Sequence, residues 1–464
     1  MNTTAKVNKE GHVKQLAVVF CIWKVLLLTL AAFCPGPGYD TSALILLDLS
    51  IERHTSFSQA PLHDRFTLNL FRWDSIYFAK AAKRYKVHEQ EWAFSWAYSK
   101  FIRFIAQVGT SVDADPQLQR CIVAGIAVSN FCHFLSVLVL YRLLTISLRS
   151  PQRYQIAYVG AVLHVLTPAS LFLSAPYAEA LFSLLNLTGM LHYAQSRTIA
   201  QDALPNIWED AYKLSAGVLF GLATLMRSNG LLSGFVLLYD VARYLPEVVS
   251  MRLTAHDLRR IIVTCVSGSF VALGFVWPQY LAYAEFCAPN REPQGRLWCM
   301  STVPSIYSWV QSHYWNVGLF RYWTLPNLPL FLMAAPMLWL LLESSAMVIR
   351  SSFQPPKRGR PVPQPGVTGV SKTTSRATHC FPELVIPQLV LSIAAITSFH
   401  VQIVNRISSG YPTWYLMVAT WLVHGLSASS SKANLQQKSQ WIVRGMIVYA
   451  IVQGMLFANF LPPA

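Results

Sequence analysis

Residues 72–78 read RWDSIYF, an aspartate set between an arginine and a run of aromatic side chains. Such a carboxylate can act as a general base, taking a proton from an attacking sugar hydroxyl. Trp73, Tyr77 and Phe78 would offer a platform to the sugar face. The structural alternative pairs Asp74 with Arg72 or Lys80 and places the aromatics in an interfacial belt. A second cluster, HVQIVNRISSGYPTWY (400–415), gathers His400, Gln402, Asn405 and Arg406 just before an SGYP break. A guanidinium fork matches phosphate oxygens, and an ionisable group at membrane depth marks a candidate site. An arginine snorkelling to the interface beside a capping histidine is the competing reading.

Further chemistry-bearing residues are spread along the chain. LMRSNG sets Arg227 with Asn229 and Gly230 between two apolar halves, where a helix N-terminus can hold an anion; a structural hairpin would use the same residues. Glu179 in APYAEA can bind a sugar hydroxyl or pair with one of the arginines. The loop 296–323 contains four tryptophans together with Gln311, a density suited either to carbohydrate stacking or to lying on the bilayer surface. Cys287 and Cys299 bracket its entrance, and an oxidising compartment would permit a disulfide there. Asp113 and Asp115 form a DAD triplet like the metal-binding DxD of soluble nucleotide-sugar transferases, a pattern too short to argue for a metal. No P-loop or GxGxxG cradle is present, so nothing points to ATP or a dinucleotide, and no cofactor is expected.

The elements that must position these residues are membrane spans. Of the 464 residues 53% are hydrophobic and only 12% charged, against about 25% charged in an ordinary soluble chain. Runs such as 16–34 and 441–460 have the length that crosses hydrocarbon. The chain therefore reads as an all-α polytopic membrane protein, a single membrane-embedded domain over 1–464. The first run, behind a basic leader, is long and lacks a good cleavage site, so it reads as a retained span, with Lys24 snorkelling toward the cytosol.

The net charge of +16 sits mostly between spans, where Lys and Arg mark the cytosolic side. With the N-terminus in the cytosol, spans fall near 121–141, 155–175, 178–195, 261–283, 327–349, 384–404, 411–427 and 441–461. Residues 214–245 are too long for one level span, and RSNG interrupts them, which predicts two short helices meeting on the far side. About eight to eleven crossings result. A first non-cytosolic segment spans 35–118, and the Trp-rich loop spans 285–326. Residues 350–382 read as a disordered basic cytosolic linker, with proline and no acid before Glu383. All the chemistry-bearing segments fall on the face away from the cytosol.

RWDSIYFAKAA, SAPYAEALF, GLATLMRSNGLL, the paired FC…LWC, PSIYSWVQSHYWNVGLFRYW and HVQIVNRISSGYPTWY occur in this order across nearly the whole chain. Together they resemble the PIG-V type of mannosyltransferase, the GPI mannosyltransferase II family. The linker is outside the resemblance. The family implies a GT-C-type helical bundle in the endoplasmic-reticulum membrane with a luminal active site. It implies transfer from dolichyl-phosphate mannose to a one-mannose GPI precursor, adding the second mannose in α1,6 linkage with inversion. It carries over Trp73 and Asp74, with Asp74 as base, and Gln311, His400 and Gln402, and it supports a Cys287–Cys299 bridge. Fungal members add the expectation of a small membrane partner subunit. Arg227, Arg406 or His400 would face the departing lipid phosphate, and a metal would not be obligatory. The rivals are a mannosyltransferase with another acceptor, a lipid or solute transporter using Arg227, Glu179 and Arg406 as a charged pathway, and a non-catalytic scaffold.

Overall fold

Chains rich in long apolar runs satisfy their backbone amides within helices, because hydrocarbon offers no water to do it. The computed structural model describes residues 2–35, 61–108, 116–201, 206–287, 296–353, 378–379, 381–425 and 430–459, with Ala43 and Leu46. Asp113, Asp115, nearly all of 36–60 and nearly all of the basic linker lie outside the described residues. In chain order the first helices are α1 (Asn2–Phe33), α2 (Leu62–Leu70), α3 (Asp74–Arg84), α4 (Trp96–Gln107), α5 (Leu118–Ser147) and α6 (Arg153–Val165). They are followed by α7 (Glu179–Ile199), α8 (Ile207–Met226), α9 (Gly234–Ala242), α10 (Leu245–Val249) and α11 (Ala255–Phe286). The last are α12 (Ile306–His313), α13 (Leu328–Phe353), α14 (Ile386–Thr397), α15 (Val404–Ile407), α16 (Thr413–Gly425) and α17 (Ser430–Ala458). Leu148–Arg149 and Thr378–His379 pair antiparallel as the one strand contact among the described residues.

Five of these helices (α1, α5, α11, α13 and α17) are long and apolar enough to cross a membrane unaided. Several expected spans are shorter than their apolar runs. Helix α6 stops after 13 residues, ahead of Pro168, and a 3-10 turn at Ser170–Leu173 takes over; the residue before a proline is pushed out of the helical region. Helices α14 and α16, of 12 and 13 residues, end or begin beside the irregular stretch 398–412. The irregular stretches matter because they carry the polar residues that a continuous helix would have spread along its length.

Residues 207–242 form the expected broken pair, with a 3-10 turn at Ser228–Ser233 between α8 and α9. Lys213 near the start of α8 pairs with Asp240 near the end of α9, so the two helices run antiparallel and the turn sits at one end. The turn needs Gly230, since a Cβ there would lie 2.5 Å from the Thr224 backbone nitrogen.

Lys24 does not snorkel. It is buried within the bundle and donates to the Leu173 carbonyl at 3.0 Å and to Ser174 Oγ at 2.6 Å. The short turn at 170–173 leaves carbonyls unpaired where water cannot reach, and the ammonium satisfies one of them. The consequence is functional as well as structural, because Phe172 lies in that turn and Tyr177 just after it, and both reach the site.

Candidate active site

Asp74 is the first residue of α3, where a carboxylate is favoured by the unpaired N–H groups of the first turn. Trp73 precedes it with φ 55°, a backbone conformation that non-glycine residues rarely hold. The Tyr177 hydroxyl fixes this turn: it donates to the Arg72 carbonyl and accepts from the Asp74 N–H, each at 3.1 Å. Tyr177 is fully buried. The aromatics behind Asp74 are likewise set by packing, Tyr77 stacking on Phe94 at 4.4 Å and Phe78 meeting Tyr98 edge-on at 5.2 Å.

These groups border a cavity of about 540 Å³. Trp73, Asp74, Arg227, Gln311, His400, Gln402 and Arg406 all line it, so four segments far apart in the chain converge on one space. Asp74 pairs with Arg406 at 2.8 Å, so neither Arg72 nor Lys80 is needed as its counterion. Arg72 is fully buried and donates to Asn69 Oδ1 at 3.1 Å. Arg406 reaches a second carboxylate, Glu179, at 3.4 Å, and Glu179 in turn holds Arg227 at 2.5 Å. The result is an alternating chain of charge, Asp74–Arg406–Glu179–Arg227, with Asp74 its most exposed member at 28% and Glu179 its least at 0%.

Glu179 and Asn229 lie behind the wall rather than on it. Glu179 begins α7, and its carboxylate acts as the common anchor of both arginines. The Asn229 amide donates to the Tyr411 hydroxyl at 3.1 Å. His400 stacks on Tyr322 at 4.7 Å with Nε2 3.1 Å from the Trp315 carbonyl, and Tyr322 donates to Gln402 Oε1 at 3.1 Å. Arg406 also lies over the Phe172 ring at 5.1 Å. A guanidinium held by aromatic faces and a buried carboxylate is pre-oriented, which lowers the cost of presenting it to an anion.

The Trp-rich loop divides its tryptophans among different tasks. Trp298 is buried, and the indoles of Trp298 and Trp309 both donate to the Glu89 carboxylate, at 3.1 and 3.2 Å. Arg296 pairs with the same carboxylate at 2.8 Å. Cys287 and Cys299 form a disulfide with 5.7 Å between Cα atoms. Trp315 lines the cavity, whereas Trp323 is mostly exposed. Lys86 tethers the neighbouring strand of chain by donating to the carbonyls of Glu91 and, at 2.7 Å, Phe94; burial brings its ammonium down to about 7. Phe94 and Ser95 follow directly and form part of the wall.

Sequence reasoning missed Tyr177, Phe172, Glu89, Phe94 and Tyr307. Tyr177 stood two residues from Glu179 in the motif itself, and its proximity to RWD is tertiary. Tyr307 accepts from Ser228 at 2.6 Å, bridging the RSNG turn to the Trp-rich loop. The alternating aromatics of WAFSW (92–96) were the available signal for Phe94.

The fold and cavity define a helical multi-pass membrane protein with an aromatic-walled, charged site at one end of its bundle. Residues 9–464 match the family model described as Mannosyltransferase (PIG-V), and the chain belongs to that family. It is 39% identical to the GPI mannosyltransferase 2 of Aspergillus oryzae (strain ATCC 42149 / RIB 40), over 98% of this chain and 97% of that protein. It is 32% identical to that of Yarrowia lipolytica (strain CLIB 122 / E 150), over 98% and 99%. Among solved structures it is similar to the apo oligosaccharyltransferase of Archaeoglobus fulgidus, with a TM-score of 0.48 at 10% identity, covering 92% of this chain and 57% of that one.

Proposed function

We propose that this chain transfers mannose from dolichyl-phosphate mannose to the one-mannose GPI precursor, adding the second mannose in α1,6 linkage. The family, and relatives named GPI mannosyltransferase 2, support the reaction class. The observation that carries the chemical reading is the aromatic-walled cavity that one accessible carboxylate, Asp74, shares with two arginines, Arg406 in contact with it and Arg227 further along the wall.

Inversion at the anomeric carbon requires one in-line attack and one base. Asp74 takes the proton of the acceptor 6-hydroxyl as its oxygen bonds to C1 of the donor mannose. The bond from C1 to the phosphate oxygen breaks, and dolichyl phosphate leaves with that electron pair. Arg406 and Arg227 face the departing phosphate as charge-assisted donors. Arg406 is shared between Asp74 and Glu179, so an arriving phosphate competes with Asp74 for the guanidinium. Taking Arg406 would release the Asp74 carboxylate toward the acceptor. Trp73, Tyr77 and Trp315 supply flat faces for the sugars, and Gln311, His400 and Gln402 supply polar contacts. The reaction is assigned to the luminal side of the endoplasmic-reticulum membrane with the N-terminus cytosolic, and a small membrane subunit is its expected partner.

The test is expression in cells lacking the endogenous second mannosyltransferase, with radiolabelled GPI lipids separated by thin-layer chromatography. Conversion of the one-mannose to the two-mannose lipid supports the proposal. Accumulation of the one-mannose lipid, with the chain abundant and its partner present, refutes the acceptor assignment.

A further inference from the structure

The end of the bundle opposite the site carries two basic clusters of different construction. In the first, each cation meets an acid: Arg260 lies 2.7 Å from Glu209, Arg197 lies 3.4 Å from Glu383, and Lys213 pairs with Asp240. That cluster is closed and neutralised from within. The second lies where α5 ends and α6 begins. Arg142, Arg149 and Arg153 border a cavity of about 600 Å³, and no carboxylate among the described residues lines it.

The partners of this second cluster are neutral. Arg149 donates to Gln201 Oε1 at 3.1 Å, and Arg153 donates to the Tyr154 hydroxyl at 3.2 Å with its guanidinium over that ring. These contacts orient the Arg149 and Arg153 guanidinium forks without bringing a carboxylate of the described residues onto them. The pairing of Leu148–Arg149 with Thr378–His379 holds Arg149 at the rim. Topology-setting arginines act from anywhere near a span end; they need neither a shared cavity nor neutral groups that aim them. One wall is apolar, with Leu138 and Ile146 from the last turns of α5. Arginine forks match phosphate oxygens, and basic pockets between spans take anionic headgroups.

We propose that this cavity binds an anionic phospholipid, its phosphate on the three arginines and the start of a chain against Leu138 and Ile146. The site is separate from the candidate active site and does not depend on the enzyme reading. Helix α7 contributes Glu179 to one and Thr198 to the other, 19 residues apart, or about 28 Å at 1.5 Å per residue.

The test uses the full chain, purified in detergent and delipidated, titrated with phosphatidylinositol or phosphatidylcholine and read by native mass spectrometry. The variant Arg142→Gln/Arg149→Gln/Arg153→Gln is expected to bind phosphatidylinositol at least about tenfold more weakly than the parent. A control, Arg252→Gln/Arg350→Gln/Arg444→Gln, is expected to bind it as the parent does. Equal losses in both variants, or no loss in the first, overturn the proposal. Displacement of the lipid by inositol phosphate at comparable concentration would mark a site for a soluble phosphate ester and overturn the lipid assignment. Should the triple variant lose its thermal transition, Arg142→Gln alone serves, with a loss of about threefold expected and an unchanged affinity overturning the idea.

Discussion

Glu179→Gln is the perturbation that reports most directly on the buried charge chain. The substitution keeps shape and volume but removes the one carboxylate that both Arg227 and Arg406 share, at 2.5 and 3.4 Å. Breaking a buried pair from one side costs about 3–5 kcal/mol because the partner is left uncompensated. The arginine side chains are 19% and 14% exposed, and Arg406 keeps Asp74, so the lower end of that range, about 3 kcal/mol, applies. The assay is the thermal transition of the purified protein, followed by fluorescence-detected size exclusion. Glu179→Gln should lower it well beyond Asp74→Asn, whose carboxylate is more exposed and whose loss leaves Arg406 on Glu179. Adding Arg227→Met to Glu179→Gln removes the orphaned charge and should recover part of the loss, a coupling that a double-mutant cycle measures. If Glu179→Gln melts with the parent protein, or if the second substitution only adds damage, the reasoning that Glu179 anchors both arginines is wrong.

Tyr177→Phe removes the hydroxyl that clamps the Trp73 turn and should cost about 1–3 kcal/mol. Its mannosyl transfer should fall further than its abundance, since Asp74 loses its placement; activity tracking abundance would contradict this. For Lys86, burial puts the folded-state value at about 7, below the ordinary lysine value of about 10.4. The unfolded segment therefore binds the extra proton between those values, so stability rises as pH climbs from about 7 toward 10. Hydrogen exchange of residues 86–94, corrected for intrinsic rates, should show stronger protection at pH 9 than at pH 7. Lys86→Met should flatten that dependence, and a dependence that persists would assign it to another group.

Much of the architecture was legible because hydrophobicity and charge act locally. Apolar runs marked the spans, and loop charge collected RWDSIYF, RSNG and HVQIVNR on one end, where they share a cavity. The break at RSNG was readable as a hairpin from its length and its glycine. Helix ends within apolar runs were less legible: 155–175 looked continuous, yet Pro168 and the turn after it stop α6 early. The identity of each ion pair was not legible at all. Asp74 has Arg72 two residues away but takes Arg406, which lies 332 positions further along, because pairing in a bundle follows packing rather than sequence distance. Lys24 misled for a related reason. A lysine in a span looks like a snorkelling side chain until the unpaired carbonyl of a distant turn is seen beside it.

The central claim is that Asp74 removes the proton from the acceptor hydroxyl. Its most direct test is the rate of conversion of one-mannose to two-mannose GPI lipid in microsomes carrying equal amounts of the parent chain or Asp74→Asn. A positioned base contributes about 10²–10⁴-fold, so the variant should fall by that factor while its thermal transition stays near that of the parent. Conversion by Asp74→Asn at the parental rate would contradict the account and leave the base to be sought elsewhere.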